Sequence, residues 1–179
     1  MHIIAGDNRG IKLNTPPTNH TRPTLSRVKE AIFSAIHEEV RGSKFLDLFA
    51  GTGQMGIEAI SRGAAKVVFV DNDQTAIEMI RSNLAKINAT NQQVVIADAL
   101  NILDTQQERF DIIYLDPPYD YPSCSQILAS IILKQCLTET GLVILEESNT
   151  NQINIPEALE VYKTKKYGKT SIRYIIRKS

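Results

Sequence analysis

The chain predicts an α/β protein: a mostly parallel seven-stranded sheet closed by a C-terminal antiparallel hairpin, with a short N-terminal β-hairpin and a helix in front. Three observations predict it. Short apolar runs without polar alternation recur along the middle of the chain, as in strands buried on both faces. Segments with apolar residues at helical spacing separate them, so strand and helix alternate. The last two runs are instead joined by Gly168-Lys169, a two-residue hairpin signal.

The elements follow in order. Ile3, Ile4 and Ala5, then residues 10–13, read as a hairpin around Asp7, Asn8, Arg9 and Gly10. Residues 14–23 hold three prolines and small polar residues and form a loop. A helix is expected over 24–40, with Thr24 as N-cap and Leu25, Val28, Ile32, Ile36 and Val40 on one stripe. Then come strand 44–49, helix 54–62, strand 66–70, helix 74–87, strand 93–97, a short helix near 99–105, strand 110–115, helix 123–134 and strand 142–146. Strands 160–167 and 170–177 make the closing hairpin. Residues 1–23 are read as an extension and 24–179 as a single domain.

At 179 residues, 42% hydrophobic and 22% charged, the chain is long enough for one proper core. No apolar stretch reaches the ~18 residues of a membrane span, and the first residues lack the apolar core of a secretory signal; a cytoplasmic protein is expected. Cys124 and Cys136 form no C-x-x-C, and His2, His20 and His37 lie far from them in sequence, so buried thiols rather than a metal site are expected. The zero net charge hides a division. Residues 1–45 carry seven Lys/Arg against four Asp/Glu, residues 46–160 carry six against sixteen, and residues 161–179 carry seven and no acid. Basic flanks around an acidic centre suit a polyanionic partner, and equally a solvated surface.

Two motifs carry chemistry. The first runs from Gly51 to Gly56, Gly-Thr-Gly-Gln-Met-Gly, after a strand and before a helix. Glycines there permit a tight turn and close approach of a ligand. Gly51, Thr52, Gly53 and Gly56 form the loop, and Asp71, twenty residues past Gly51 and followed by Asn72, is placed to accept ribose hydroxyls. The pattern fits NAD and S-adenosylmethionine alike. Three features favour the second. Asp47 sits four residues before the first glycine, where a pyrophosphate would be repelled and a cationic ligand would not. Asp98, with Ala99 behind it, ends the third strand within reach of an adenine amine. A dehydrogenase would also need a further substrate domain. Asp73 and Asp98 are equally suited to capping the helices after them.

The second motif is Asp116-Pro117-Pro118-Tyr119 at the exit of a buried strand. In an open α/β sheet that exit lies beside the glycine loop. The Asp116 carboxylate and the Pro117 carbonyl would accept the N–H groups of a nucleobase amine and aim its lone pair. Pro117 and Pro118 stiffen the loop, and Tyr119 offers a ring for base stacking. Phe49 would wall the pocket. A paired base cannot enter, so the target must be unpaired or flipped out.

With these residues in view, the chain resembles bacterial 16S ribosomal RNA guanine-N2 methyltransferases of the RsmD family. The resemblance covers Ile3 to Gly6, Arg9-Gly10 with Lys12 and Leu13, Arg22 to Glu30, the loop around Asp47 to Gly53, the tetrapeptide, and residues 165–170. Asn8 and Ser26 stand where the family often has an aromatic and an acid. The resemblance implies a Rossmann-like class I methyltransferase fold, S-adenosylmethionine as cofactor, no metal, and a monomer acting on 16S rRNA in the small subunit or its assembly intermediate. Asp116, Pro117, Pro118 and Tyr119 would be catalytic. Asp47, Phe49, Gly51, Thr52, Gly53, Gly56, Asp71, Asn72, Asp98 and Ala99 would hold the cofactor. Arg9, Lys12, Arg22, Arg27, Lys165, Lys166 and Lys169 would grip RNA phosphates. An adenine-N6 methyltransferase of DNA or RNA and a non-catalytic RNA-binding assembly factor are the competing readings.

Overall fold

A computed structural model describes residues 1–16, 24–118, 121, 124–149 and 153–178. Arg22 and Tyr119 lie outside the described residues. The strands are β1 (Lys44–Leu48), β2 (Lys66–Asp71), β3 (Gln92–Ile96), β4 (Phe110–Leu115), β5 (Leu137–Ser148), β6 (Leu159–Tyr167) and β7 (Thr170–Arg177). They form one sheet in the order β3-β2-β1-β4-β5-β7-β6. The first five are parallel, and β7 runs antiparallel between β5 and β6. The helices are α1 (Thr24–Ala35), α2 (His37–Val40), α3 (Gln54–Ser61), α4 (Gln74–Ala85), α5 (Ala99–Thr105) and α6 (Cys124–Leu133). No helix among the described residues is long and apolar enough to cross a membrane.

Alternate residues of each strand feed two apolar layers. Phe45 and Phe69 meet Val28, Ile32, Ile36 and Ile57 of the first helices on one face. Leu46, Leu48 and Val68 meet Leu103, Ile127 and Ile131 of α5 and α6 on the other. Both faces of β1, β2 and β4 are therefore covered, which is why these strands read as unbroken apolar runs. Strand order reverses between β1 and β4, so a crevice opens at their carboxyl ends.

Four boundaries differ from the sequence expectation. The helix expected over 24–40 breaks at Ile36, whose φ of −117° and ψ of 27° leave the helical region, and α2 restarts it for one turn. Burial of Ile36 and Val40 keeps the apolar stripe continuous across the break, so periodicity could not reveal it. β1 ends at Leu48 rather than 49, because Phe49 takes a left-handed φ of 65°. β5 begins at Leu137, well before 142. Its polar Thr138, Glu139 and Thr140 resemble a loop, but a register irregularity against β4 between Phe110 and Ile112 accommodates them. The N-terminal hairpin is a single antiparallel bridge, His2 to Lys12, rather than two strands. Its Ile3 and Leu13 are nevertheless buried in the main core.

Candidate functional site

The register of β1 against β4 pairs Leu48 with Leu115. The residues that follow, Phe49 and Asp116, therefore emerge side by side at one end of the sheet. The glycine loop and the Asp-Pro-Pro loop share one crevice, as the sequence requires.

The glycine loop is held from beneath. The Asp47 Oδ2 accepts the Gly56 N–H at 2.9 Å, and the Asp71 Oδ2 accepts the Gly51 N–H at 2.8 Å. The Gly53 N–H reaches the Ala50 carbonyl at 2.7 Å, while the Asn83 amide donates to the Thr52 carbonyl at 3.0 Å. Gly53 caps α3 with φ 76°, a backbone suited to glycine. At Gly56 a Cβ would lie 2.2 Å from the Phe69 ring, so helix and strand pack closer than any side chain allows. A Cβ on Gly51 would meet no heavy atom within 4 Å, so the space beside it is open.

The acids divide by role. Asp73 caps α4 by accepting the Thr75 N–H at 2.8 Å. Asp98 caps α5 through Oδ1, which accepts from Leu100 at 2.9 Å and Asn101 at 3.4 Å. Asp71, half-buried, also takes the Asp73 N–H on Oδ1 at 3.0 Å, and each of its oxygens keeps a lone pair beyond these bonds; Asn72 beside it is exposed. Ala99 is buried against the second core layer. Thus two of the sequence-selected acids serve as helix caps, and Asp98 has a second oxygen for a ligand.

Asp47 is 1% exposed. Burial pushes its carboxyl up to about 7, opposed by the Gly56 N–H and reinforced by the charge of Asp71. The folded value exceeds the unfolded one near 3.8, so the folded state holds the extra proton between those values. Stability therefore falls as pH rises from about 4 to about 7. Asp47→Asn, which keeps an acceptor for Gly56, is expected to raise the melting temperature at pH 8 and leave it unchanged below pH 4. The gain is bounded at about 4 kcal/mol; thermal unfolding at the two pH values checks it.

On the substrate side, the Tyr121 N–H binds the Pro118 carbonyl at 2.9 Å, while the Pro117 carbonyl has no partner among the described residues. Phe49 and Tyr121 meet edge to face, with ring centroids 5.0 Å apart. The left-handed Phe49 is the kind of backbone strain that persists where a site over-determines it. Asp116 is crowded by protein atoms and repelled by Glu146 and Asp47, which raises its carboxyl well above the usual range. It is nonetheless exposed at the crevice mouth. Water damps the rise while the mouth is open, and a base closing it restores the full effect.

Sequence reasoning missed two groups. Glu146, near the end of β5, accepts the Tyr114 phenol proton at 2.6 Å beside Asp116. Its signal was an acid at the end of an apolar strand. A buried Lys29–Glu58–Arg62 cluster ties the N-terminal segment to α3.

The basic residues are not all together. β5 pairs Ser148 with Thr170, so the β6–β7 turn with Lys165, Lys166 and Lys169 stands at the same sheet end as Asp116. The turn holding Arg9 instead packs at the far end of α3, where the Asp7 N–H meets the Ser61 carbonyl at 2.8 Å. Lys12 is exposed near Lys86, and Arg27 is exposed on α1.

This sheet order and this crevice define a class I S-adenosylmethionine-dependent methyltransferase fold. Residues 1–176 match the family model described as conserved hypothetical protein 95, and the chain belongs to this family, the RsmD family. It is 33% identical over 177 residues to ribosomal RNA small subunit methyltransferase D of Haemophilus influenzae, covering 97% of this chain and 92% of that one. It is 37% identical over 179 residues to the candidate rRNA methyltransferase YlbH of Bacillus subtilis, covering 96% of each. The solved candidate methyltransferase yhhF of Escherichia coli superposes with a TM-score of 0.90 at 28% identity, covering 100% of this chain and 98% of that one.

Proposed function

We propose that this protein transfers a methyl group from S-adenosylmethionine to the exocyclic N2 amine of a guanine in 16S ribosomal RNA. The observation that carries the reading is the side-by-side emergence of Phe49 and Asp116 from paired strands, which sets an amine-holding loop against a cofactor cradle. The names of the Haemophilus and Bacillus relatives support rRNA as the substrate class.

The chain's residues fit the cofactor. Open space above Gly51 admits it, Asp71 suits a ribose, the free oxygen of Asp98 suits an adenine amine, and Asp47 favours a ligand bearing positive charge. S-adenosylmethionine supplies an electrophilic methyl on a sulfonium. The protein supplies position. The guanine amine is a weak nucleophile because its lone pair is shared with the ring. Asp116 and the Pro117 carbonyl, which has no partner among the described residues, accept its two N–H groups and turn that lone pair toward the methyl. As the N–C bond forms and the S–C bond breaks, Asp116 accepts the proton released from nitrogen. Tyr119 and Phe49 flank the base. Lys165, Lys166 and Lys169, on the same rim, hold the RNA backbone, with Arg9, Lys12, Arg22 and Arg27 as further contacts and residues 1–23 as the RNA-facing extension.

Nucleoside mass mapping of rRNA from cells with and without this protein tests the reading: one N2-methylguanine in 16S rRNA is expected to vanish. A change confined to N6-methyladenine favours the adenine reading, and no change favours an assembly factor. Replacing Lys165, Lys166 and Lys169 with alanine is expected to weaken RNA binding and to reduce the slope of log affinity against log salt by about 2. Titrations at several salt concentrations check it; an unaltered slope makes these lysines a solvated face.

A further inference from the structure

β4 and β5 are parallel neighbours that pair Leu115 with Leu145. Asp116 and Glu146, next in each strand, therefore stand side by side on the rim of the crevice. Glu146 is anchored rather than loose: the buried Tyr114 phenol donates to its Oε2 at 2.6 Å. Its Oε1 has no partner among the described residues, and the residue stays partly open to the crevice. When ionised, the two are acceptor-only groups that share one edge of the substrate position. The Tyr114 hydrogen bond is used up in fixing one of them, and nothing in the transfer chemistry above requires the second.

A guanine supplies what this pair lacks. Its Watson–Crick edge carries the ring N1–H directly beside the exocyclic amine, so two donors meet two carboxylates. An adenine carries a bare N1 lone pair beside its amine, and that lone pair would face a carboxylate. We propose that Glu146 is the specificity-determining residue of the site, its Oε1 accepting the guanine N1–H while Asp116 holds the neighbouring amine. This rests on the guanine-N2 reading and deepens it. Burial raises the carboxyl of Glu146, against the opposing Tyr114 bond, and crowding by protein atoms with the charges of Glu146 and Asp47 raises that of Asp116; two N–H donors are what such a pair favours.

The test replaces the target guanine with 2-aminopurine in the RNA substrate. This base keeps the 2-amine but presents an unprotonated N1. The kcat/KM ratio of guanine to 2-aminopurine is compared between wild type and Glu146→Gln, so that the intrinsic reactivities of the two amines cancel. The glutamine keeps an oxygen for Tyr114 and offers an N–H to the bare N1. The ratio is expected to fall by about 10- to 100-fold while S-adenosylmethionine affinity is unchanged. Tyr114→Phe, which leaves the carboxylate but frees it, is expected to give an intermediate fall and carries the test should the first variant not fold. An unaltered ratio in folded variants overturns the role of Glu146 while guanine methylation stands. Wild-type protein that forms no N2-methylguanine overturns both.

Discussion

Asp116→Ala is expected to lower methyl transfer by on the order of 100-fold or more with S-adenosylmethionine binding unchanged. The two readouts separate because the two halves of the site are built on different strands. The glycine loop is secured by Asp47 and Asp71 on β1 and β2, whereas Asp116 follows β4 and, among the described residues, makes no hydrogen bond to that loop. Removing it leaves the amine with only the Pro117 carbonyl, and the lone pair is no longer aimed. Asp116→Asn keeps an oxygen acceptor without the charge and is expected to retain part of the rate.

The pH profile gives an independent readout. Asp116 holds the amine N–H most strongly and can take the released proton only when ionised, and crowding by protein atoms with the charges of Glu146 and Asp47 raises its carboxyl. The rate is therefore lost as pH falls through a value above the ordinary aspartate range. Asp116→Asn should flatten that limb. Near-normal turnover of Asp116→Ala would remove the assigned role, and a limb at the ordinary aspartate value would show that water, not crowding, governs this carboxyl.

What the sequence made legible was whatever depends on local pattern. Strands β1, β2 and β4 are apolar because both faces are covered, so their positions read directly from Phe45, Val67 and Ile112 and their neighbours. The meeting of the two loops was legible as well, since a carboxyl-end crevice follows from alternating strand and helix. Three things were not. The break at Ile36 is silent because the residue stays buried on the same stripe. The early start of β5 is silent because Thr138 and Glu139 pair as backbone while their side chains are polar. Glu146 was invisible because its meaning comes from Tyr114 and Asp116, thirty-two and thirty residues away, and only strand register brings them together. The caps at Asp73 and Asp98 were legible, since each acid stands just before a helical stretch and each accepts backbone N–H groups of the helix it opens.

The Lys29–Glu58–Arg62 cluster, also silent in the sequence, is where the largest loss of stability is expected. Glu58 is fully buried and accepts four donors: the Ile4 N–H at 2.9 Å, the Ala5 N–H at 3.0 Å, the Arg62 Nε at 2.9 Å and the Lys29 Nζ at 3.2 Å. Lys29, 1% exposed, also donates to the His2 carbonyl at 3.0 Å. Glu58→Ala strands a buried ammonium and two backbone N–H groups at once, which is expected to cost about 3–5 kcal/mol and to lower the melting temperature by roughly 6–20 °C for a chain of this length. Burial already lowers the affinity of Lys29 for its proton, against the pull of Glu58. Without that carboxylate the depression deepens. The folded variant then binds fewer protons than the unfolded chain over a wider range below 10.5, so its stability deficit should shrink as pH rises through that range. Adding Lys29→Met to Glu58→Ala removes the stranded charge and should recover part of the loss at neutral pH. The orphaned Ile4 and Ala5 amides remain in both variants, so faster hydrogen exchange over residues 1–13 should persist in the double variant even where the melting temperature returns. Recovery of that protection together with stability would mean that the stranded Lys29 charge, and not the lost hydrogen bonds of Glu58, had loosened the N-terminal segment in the single variant.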